Sequence, residues 1–220
     1  MSIKKNLNDI KASLPEHVTL VAVSKTKPIS DLMEAYNAGQ RIFGENKIQE
    51  MANKYENMPK DIEWHMIGHV QRNKVKYMAS FVSLIHGVDN FKLLKEINKQ
   101  AKKHDRIIDC LLQIKIASED SKFGMSFEDA LAHMQSSDFS ALKNIRITGV
   151  MGMATFTDNT AQIEQEFNVL KNVSNRLNAQ YSTFKTISMG MSGDYKLAID
   201  CGSTMIRVGS SIFGVRNYSN

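Results

Sequence analysis

The sequence predicts an α/β protein folded as a single (β/α)8 barrel, a TIM barrel, with one additional helix at its N-terminus. Short apolar runs alternate with amphipathic segments along the chain. Strands that are apolar throughout, each followed by a helix, are typical of a parallel sheet covered by helices. The length of 220 residues is close to the roughly 250 residues of a typical closed barrel. We therefore expect residues 1–220 to form one domain.

Eight strand–helix units follow an amphipathic N-terminal segment, residues 1–14. The apolar runs that predict strands are 19–24, 41–44, 62–68, 81–89, 109–116, 145–153, 184–190 and 205–209. The intervening helical patterns are 30–39, 45–56, 71–80, 90–104, 126–135, 158–178 and 194–202, and the last unit ends in the short turn SSIFG. The alternative, an open doubly wound sheet, needs a glycine-rich turn after the first strand, and SKTKP (24–28) is not such a turn.

Composition excludes several classes of protein. The net charge is +5 with 42% apolar and 23% charged residues, an ordinary globular balance. Basic residues are scattered and no recognition motif accompanies them, so we expect no nucleic-acid partner. No apolar segment approaches the roughly 18 residues of a membrane span. Cys110 and Cys201 lie inside apolar runs and predict buried thiols in a reducing compartment. We expect a cytoplasmic monomer without membrane contact.

A metal site is not predicted. His65 and His69 are four residues apart, but Gly68 interrupts the segment and His65 falls in a predicted strand. The helical geometry of a zinc-binding pair is therefore missing. We expect His65 instead to pack or form a hydrogen bond near the barrel mouth.

The first predicted strand ends at a lysine, in LVAVSKTKP (20–28). Side chains alternate between the two faces of a strand, so Lys25 points inward if Val21 and Val23 do. Lysine is rarely buried without a partner or a task. Either the strand stops earlier and Lys25 is solvated, or Lys25 is a nucleophile whose pKa is lowered by desolvation and whose amine forms a Schiff base.

Glycine- and serine-rich segments follow the seventh and eighth predicted strands, SMGMSGD (188–194) and RVGSSIFG (207–214). Closed barrels often bind phosphate between these two loops. Glycine lets the backbone approach an anion, and hydroxyl and N–H groups donate to it. Ordinary turns have a similar composition, but two such loops at this place favour phosphate binding. The candidates are Gly190 and Gly209 for the close approach and Ser188, Ser192, Ser210 and Ser211 for their hydroxyls.

Arg207 is the second candidate for ligand binding. Alternation in MIRVG (205–209) places Met205, Arg207 and Gly209 on the inward face. An inward arginine is costly unless it meets a ligand or a carboxylate. Both a ligand contact and a structural ion pair remain open. A ligand with a carbonyl, a phosphate and an acceptor for arginine would suit all three features, as pyridoxal 5′-phosphate (PLP) does; a Schiff-base aldolase acting on a sugar phosphate also fits.

Several segments in order resemble the pyridoxal phosphate homeostasis protein family: AVSKTKP (22–28), FGEN (43–46), WHMIGHVQRNK (64–74), SKFGM (121–125), GVMGM (149–153), SMGMSGDY (188–195) and GSTMIRVGSSIFG (202–214). The resemblance spans residues 7–218. The family is similar to the N-terminal barrel of alanine racemase, a PLP protein of fold type III.

The resemblance implies that Lys25 binds PLP as an internal aldimine and that Arg207 faces the pyridine nitrogen. The loops after strands seven and eight would hold the phosphate, and Asn46, Met151 and Met153 would lie beside the ring. The cofactor-binding residues implied are Lys25, Asn46, Met151, Ser188, Gly190, Ser192, Arg207, Gly209 and Ser210.

The resemblance also implies a cofactor carrier that supplies PLP to apo-enzymes through transient contacts, with no established catalysis. The alternative is a fold-type III enzyme such as an amino-acid racemase or a decarboxylase. Racemisation needs acid/base groups on both faces of the substrate carbon, and the tyrosine that supplies one of them in alanine racemase comes from a second domain, which we expect this chain to lack. Of the tyrosines, only Tyr195 falls near the predicted mouth. We therefore expect no useful turnover.

Overall fold

The computed structural model describes residues 2–118 and 123–214. In that part of the chain eight parallel strands close into a barrel in sequence order, with β1 paired to both β2 and β8. The strands are β1 (Thr19–Val23), β2 (Ile42–Glu45), β3 (Glu63–Met66), β4 (Leu84–Val88), β5 (Ile108–Gln113), β6 (Ile145–Met151), β7 (Thr186–Ser188) and β8 (Met205–Val208). The predicted fold class and the additional N-terminal helix are confirmed.

Helices cover the outside of the barrel. They are α1 (Ile3–Ser13), α2 (Ile29–Asn37), α3 (Ile48–Asn57), the 3₁₀-helix η1 (Arg72–Tyr77), α4 (Phe91–Lys102), α5 (Phe127–Gln135), α6 (Ser137–Ser140), α7 (Thr160–Asn178), α8 (Tyr195–Asp200) and α9 (Ser210–Phe213). Ser2, Asn90, Ser126 and Asn159 cap α1, α4, α5 and α7 by accepting a hydrogen bond from a backbone N–H of the first turn. No helix within the described ranges is long and apolar enough to span a bilayer.

The prediction of an α-helix over 71–80 is wrong, because the segment forms only the short 3₁₀-helix η1. Val75 and Met78 are fully buried, and hydrogen bonds from Met78 N–H to Val75 O and from Phe81 N–H to Met78 O span three residues. No side chain caps the start of η1. Packing of the apolar side chains therefore outweighs helix propensity here.

Several predicted strands extend too far: 62–68, 81–89 and 109–116 are reduced to Glu63–Met66, Leu84–Val88 and Ile108–Gln113. The predicted strand 145–153 stops at Met151, and 184–190 is reduced to Thr186–Ser188. Gly190 has a φ of +96°, which ends extended geometry at that point. The residues beyond the strand ends contribute instead to the loops at the barrel mouth.

The hydrophobic core has two layers, as strand alternation requires. The larger layer lies between the strands and the helices and includes Leu20, Ala22 and the fully buried Trp64. The smaller layer fills the barrel interior with Val21, Ile67, Leu84, Leu111, Met151 and Met205, and Val23 packs against it. The inward orientation predicted for Val21, Val23 and Met205 is therefore confirmed.

Candidate functional site

A cavity of about 760 Å³ opens at the carboxyl ends of the strands. Its size lies within the roughly 300–1,000 Å³ of typical small-molecule sites. Several predicted site residues line it together, namely Lys25, Asn46, Ser192, Arg207, Gly209 and Ser210. The structure thus brings loops after β1, β2, β7 and β8 to one place.

Three predicted site residues do not line the cavity. Met151 is buried in the inner core, and the neighbouring Met153 lines the cavity in its place. Ser188 is fully buried and contacts Arg207. Gly190 accepts a hydrogen bond from the Arg207 N–H through its carbonyl, and a Cβ there would lie 2.7 Å from the Cβ of Ala198. Ser188 and Gly190 therefore support the site from behind.

Lys25 occupies a turn held at both ends. Strand β1 ends at Val23, and the N–H of Ser24 donates to the carbonyl of Gly44 on β2. Thr26 adopts a φ of 65°, a conformation that is rare for residues other than glycine. Its N–H donates to Glu50 Oε1 at 2.6 Å. Lys25 between them is half-buried and lines the cavity.

A buried ionic cluster lies behind this turn. Lys54, only 4% exposed, donates through Nζ to Ser24 O at 2.8 Å, to Glu45 Oε1 at 2.7 Å and to Glu50 Oε1 at 2.7 Å. The Ser24 hydroxyl donates to Glu45 Oε1 at 2.6 Å. Burial raises the pKa of Glu45, while Lys54 acts in the opposite direction. The cluster therefore ties both neighbours of Lys25 to β2 and α3.

Arg207 carries a cation into the barrel mouth. Its side chain donates to Ser188 O at 2.8 Å, to Ser188 Oγ at 2.6 Å and to Gly152 O at 3.1 Å. Burial lowers the pKa of Arg207 to about 10, so the guanidinium remains protonated at neutral pH. Across residues 2–118 and 123–214 no carboxylate forms an ion pair with it. A ligand contact explains the position of Arg207 better than a structural ion pair.

The loops after β7 and β8 offer unpaired donors. Ser192, Gly193 and Ser210 line the cavity, and within the described residues no acceptor pairs with their backbone N–H groups. The N–H of Gly209 donates to Ser192 Oγ at 3.1 Å and so joins the two loops. Backbone N–H groups and hydroxyls at the edge of a cavity suit an anion such as phosphate.

The opposite wall contains Gln113, which the sequence did not reveal, beside His69 and Phe123 from two of the segments that carry the resemblance. Gln113, which is 3% exposed, donates to Phe123 O at 2.9 Å. His69 stacks on Phe123 with ring centroids 4.1 Å apart and contacts Asp89 Oδ2 through Nδ1 at 3.1 Å. Gln113 lay within an apparently apolar run and gave no signal. Residues 121 and 122 of the segment SKFGM lie outside the described residues.

The expectation that His65 lies near the mouth is wrong. His65 forms a hydrogen bond inside the barrel, to His86, and lines a second cavity at the amino ends of the strands. His65 points inward two residues before Ile67 of the inner core and so lies below it, toward the floor, whereas His69 follows the strand and lines the cavity at the mouth. The two histidines therefore belong to different ends of the molecule.

Comparisons with known proteins agree with this architecture. The family model "Alanine racemase, N-terminal domain" matches residues 1–217. The pyridoxal phosphate homeostasis protein of Vibrio alginolyticus is 37% identical, over 99% of both chains, and that of Escherichia coli K12 is 36% identical, over 93% of this chain and 88% of the relative. The chain belongs to the pyridoxal phosphate homeostasis protein family.

Solved structures of other proteins have a similar fold. PipY of Synechococcus elongatus PCC7942, with PLP bound, is 33% identical with a TM-score of 0.87, covering 96% of this chain and all of that one. Alanine racemase of Clostridium difficile 630 shares the fold alone, with a TM-score of 0.81 at 15% identity, over 99% of this chain and 57% of the racemase.

Replacing Lys54 with methionine should destabilise the protein by about 3–5 kcal/mol, because Glu45 and Glu50 then lose the cation between them. Chemical denaturation of the two proteins measures the free energy of unfolding. Lys47→Met, at an exposed lysine that precedes α3, is the control and should change it by less than about 0.5 kcal/mol. Equal effects of the two substitutions would show that the cluster contributes no stability.

Proposed function

We propose that this protein binds pyridoxal 5′-phosphate covalently through Lys25 and acts as a PLP carrier in cofactor homeostasis, without catalysis of its own. One observation carries the proposal: a single cavity is lined by a half-buried lysine, a buried arginine and two loops with unpaired N–H groups. PLP offers an aldehyde, a pyridine nitrogen and a phosphate to these three features. The PLP bound in the Synechococcus PipY structure supports PLP as the ligand.

Each group of this chain has a separate task in the proposal. Lys25 supplies the amine for the aldehyde carbon, and the buried cluster behind it fixes its turn. Ser192, Gly209 and Ser210 hold the phosphate at the edge of the cavity. Arg207 donates to the pyridine nitrogen, and Asn46 and Met153 flank the ring. The barrel alone, as one domain, supplies every one of these groups.

Arg207 favours retention of the cofactor over turnover. When bound, PLP supplies an electrophilic carbon and a ring that accepts electrons best with its nitrogen protonated. A guanidinium donates a hydrogen bond and keeps its proton, and the pKa of Arg207 stays at about 10 despite burial. The ring nitrogen would therefore stay unprotonated. No tyrosine is among the described residues that line the cavity, Tyr195 included.

Carrier function also defines the partners in this proposal. A monomeric cytoplasmic barrel would release PLP to PLP-dependent apo-enzymes during transient contacts. The alternative is an amino-acid racemase. The likeness to the Clostridium difficile racemase is one of fold alone and does not favour this activity. The two functions differ in whether an amino acid loses its α-hydrogen in the cavity.

Lys25 should carry the bound cofactor covalently. Borohydride reduction of the PLP-loaded protein followed by peptide mapping should place the pyridoxyl group on Lys25. Lys25→Ala should abolish the violet absorption band, whereas Lys27→Ala, two residues away on the same cavity wall, should retain it. Modification chiefly at Lys27 would overturn the assignment.

Ser210→Asp should weaken PLP binding at least about tenfold, because it places a negative charge where the phosphate dianion is expected. Titration with free pyridoxal, which lacks the phosphate, should show a much smaller loss. Ser211→Asp is the matched control, since Ser211 is an exposed neighbour that does not line the cavity. Equal losses for PLP and pyridoxal would place the phosphate elsewhere.

The carrier should exchange no α-hydrogen. Incubation of the PLP-loaded protein with L- and D-amino acids in deuterated water should give no more exchange than free PLP, measured by NMR. The reason is that Arg207, the proposed donor to the ring nitrogen, keeps its proton and leaves the ring a weak electron acceptor. Exchange well above that of free PLP, and lost in Lys25→Ala, would show that the protein is an enzyme.

A further inference from the structure

Four buried polar side chains form a continuous chain of hydrogen bonds through the barrel interior. His65 Nδ1 lies 3.1 Å from His86 Nε2, and His86 Nδ1 lies 3.0 Å from Ser188 Oγ. Ser188 Oγ accepts from Arg207 Nη1 at 2.6 Å. All four residues are at most 4% exposed. We call His65, His86, Ser188 and Arg207 the interior chain.

The partners fix the direction of these hydrogen bonds. Arginine has no acceptor, so Ser188 Oγ must accept from Arg207. The one hydrogen of the Ser188 hydroxyl is then available to His86 Nδ1, its remaining partner. Burial lowers the pKa of His65 to about 3 and that of His86 well below its ordinary value, so both rings are neutral. His86 therefore carries its proton on Nε2 and donates it to His65 Nδ1.

The interior chain also determines which part of Arg207 is left for a ligand. A guanidinium has five N–H groups. Nη1 uses both of its hydrogens on Ser188, and Nη2 uses one on Gly152 O. Among the described residues no protein acceptor pairs with Nε or with the second hydrogen of Nη2. The edge formed by Nε and Nη2 is therefore the one that can donate into the cavity.

Loss of the His86 acceptor would disturb this arrangement. Ser188 is fully buried, so its hydroxyl would have to leave its present orientation or remain unsatisfied. A rotated hydroxyl no longer presents its lone pairs to Nη1 in the same way, and the guanidinium could turn. His65 at the far end satisfies His86 Nε2–H and lines a second cavity of about 660 Å³ at the floor of the barrel.

We propose that His86, held by His65, is a positioning residue that orients the Arg207 guanidinium through the Ser188 hydroxyl toward the ring nitrogen of the cofactor. This inference rests on the proposed function, since it assumes that Arg207 meets that nitrogen. His86 itself lines neither the cofactor cavity nor the floor cavity. Its effect on binding should therefore depend on the ring nitrogen alone.

Two ligands isolate that effect: PLP, and an analogue with carbon in place of the ring nitrogen. His86→Leu should weaken PLP binding about tenfold or more, the range of a hydrogen bond to a charged group. Its affinity for the carbon analogue should stay unchanged. His86→Asn restores an acceptor near the position of Nδ1 and should keep PLP affinity within about threefold of the original. His65→Leu should act in the same direction as His86→Leu, with a smaller loss.

A matched control separates positioning from general destabilisation. Leu111→Ala removes side-chain volume from the inner core and leaves every hydrogen bond of the interior chain in place, and it should affect both ligands equally. If His86→Leu fails to fold by circular dichroism, Ser188→Ala breaks the same link and should show the same selective loss. Equal loss of the two ligands, or unchanged PLP binding, would overturn the positioning role. Failure of the unsubstituted protein to bind PLP would instead overturn the proposed function.

Discussion

The buried guanidinium of Arg207 is the group on which the barrel mouth depends. A cation that is 4% exposed would be prohibitively costly without compensation, and no carboxylate within the described residues pairs with it. Two carbonyls and a hydroxyl supply partial compensation. Ser188 is the last residue of β7 and Gly152 directly follows β6, so carbonyls at the ends of two neighbouring strands meet at one guanidinium.

Lys54 is a second buried cation, and the cost of its burial is offset by carboxylates. It is as buried as Arg207 but lies between two carboxylates and a carbonyl. The two carboxylates offset its positive charge, so the cluster serves to hold the turn of Lys25 and leaves no excess positive charge for a ligand. Arg207 keeps its net positive charge. This difference between two buried cations is what makes one structural and the other available to the cavity.

Strand periodicity predicted the parts of the site that depend on it. Alternation from Val21 to Val23, and from Met205 to Arg207, holds because one face of each strand must fill the barrel. Lys25 lies in the turn after β1 and lines the cavity from there. Side chains whose role comes from tertiary pairing could not be predicted this way. Nothing in the local sequence of Lys54 or His86 indicates which distant residue it meets. The 3₁₀ geometry of η1 was missed for the same reason, because packing set it.

In the proposed function, a neutral interior chain also explains how the barrel would hold a basic ring without activating it. Had a carboxylate stood at the position of Ser188, Arg207 would be paired and its donors would be shared with that anion. A neutral hydroxyl, backed by two neutral histidines, accepts from Nη1 without neutralising the positive charge of the guanidinium, which lines the cavity. A full charge attracts an anionic ligand across the opening, while the high pKa of arginine prevents proton transfer to it. In the proposed function, attraction without proton transfer suits a carrier, because an unprotonated ring is a weaker electron sink for a carbanion than a protonated one.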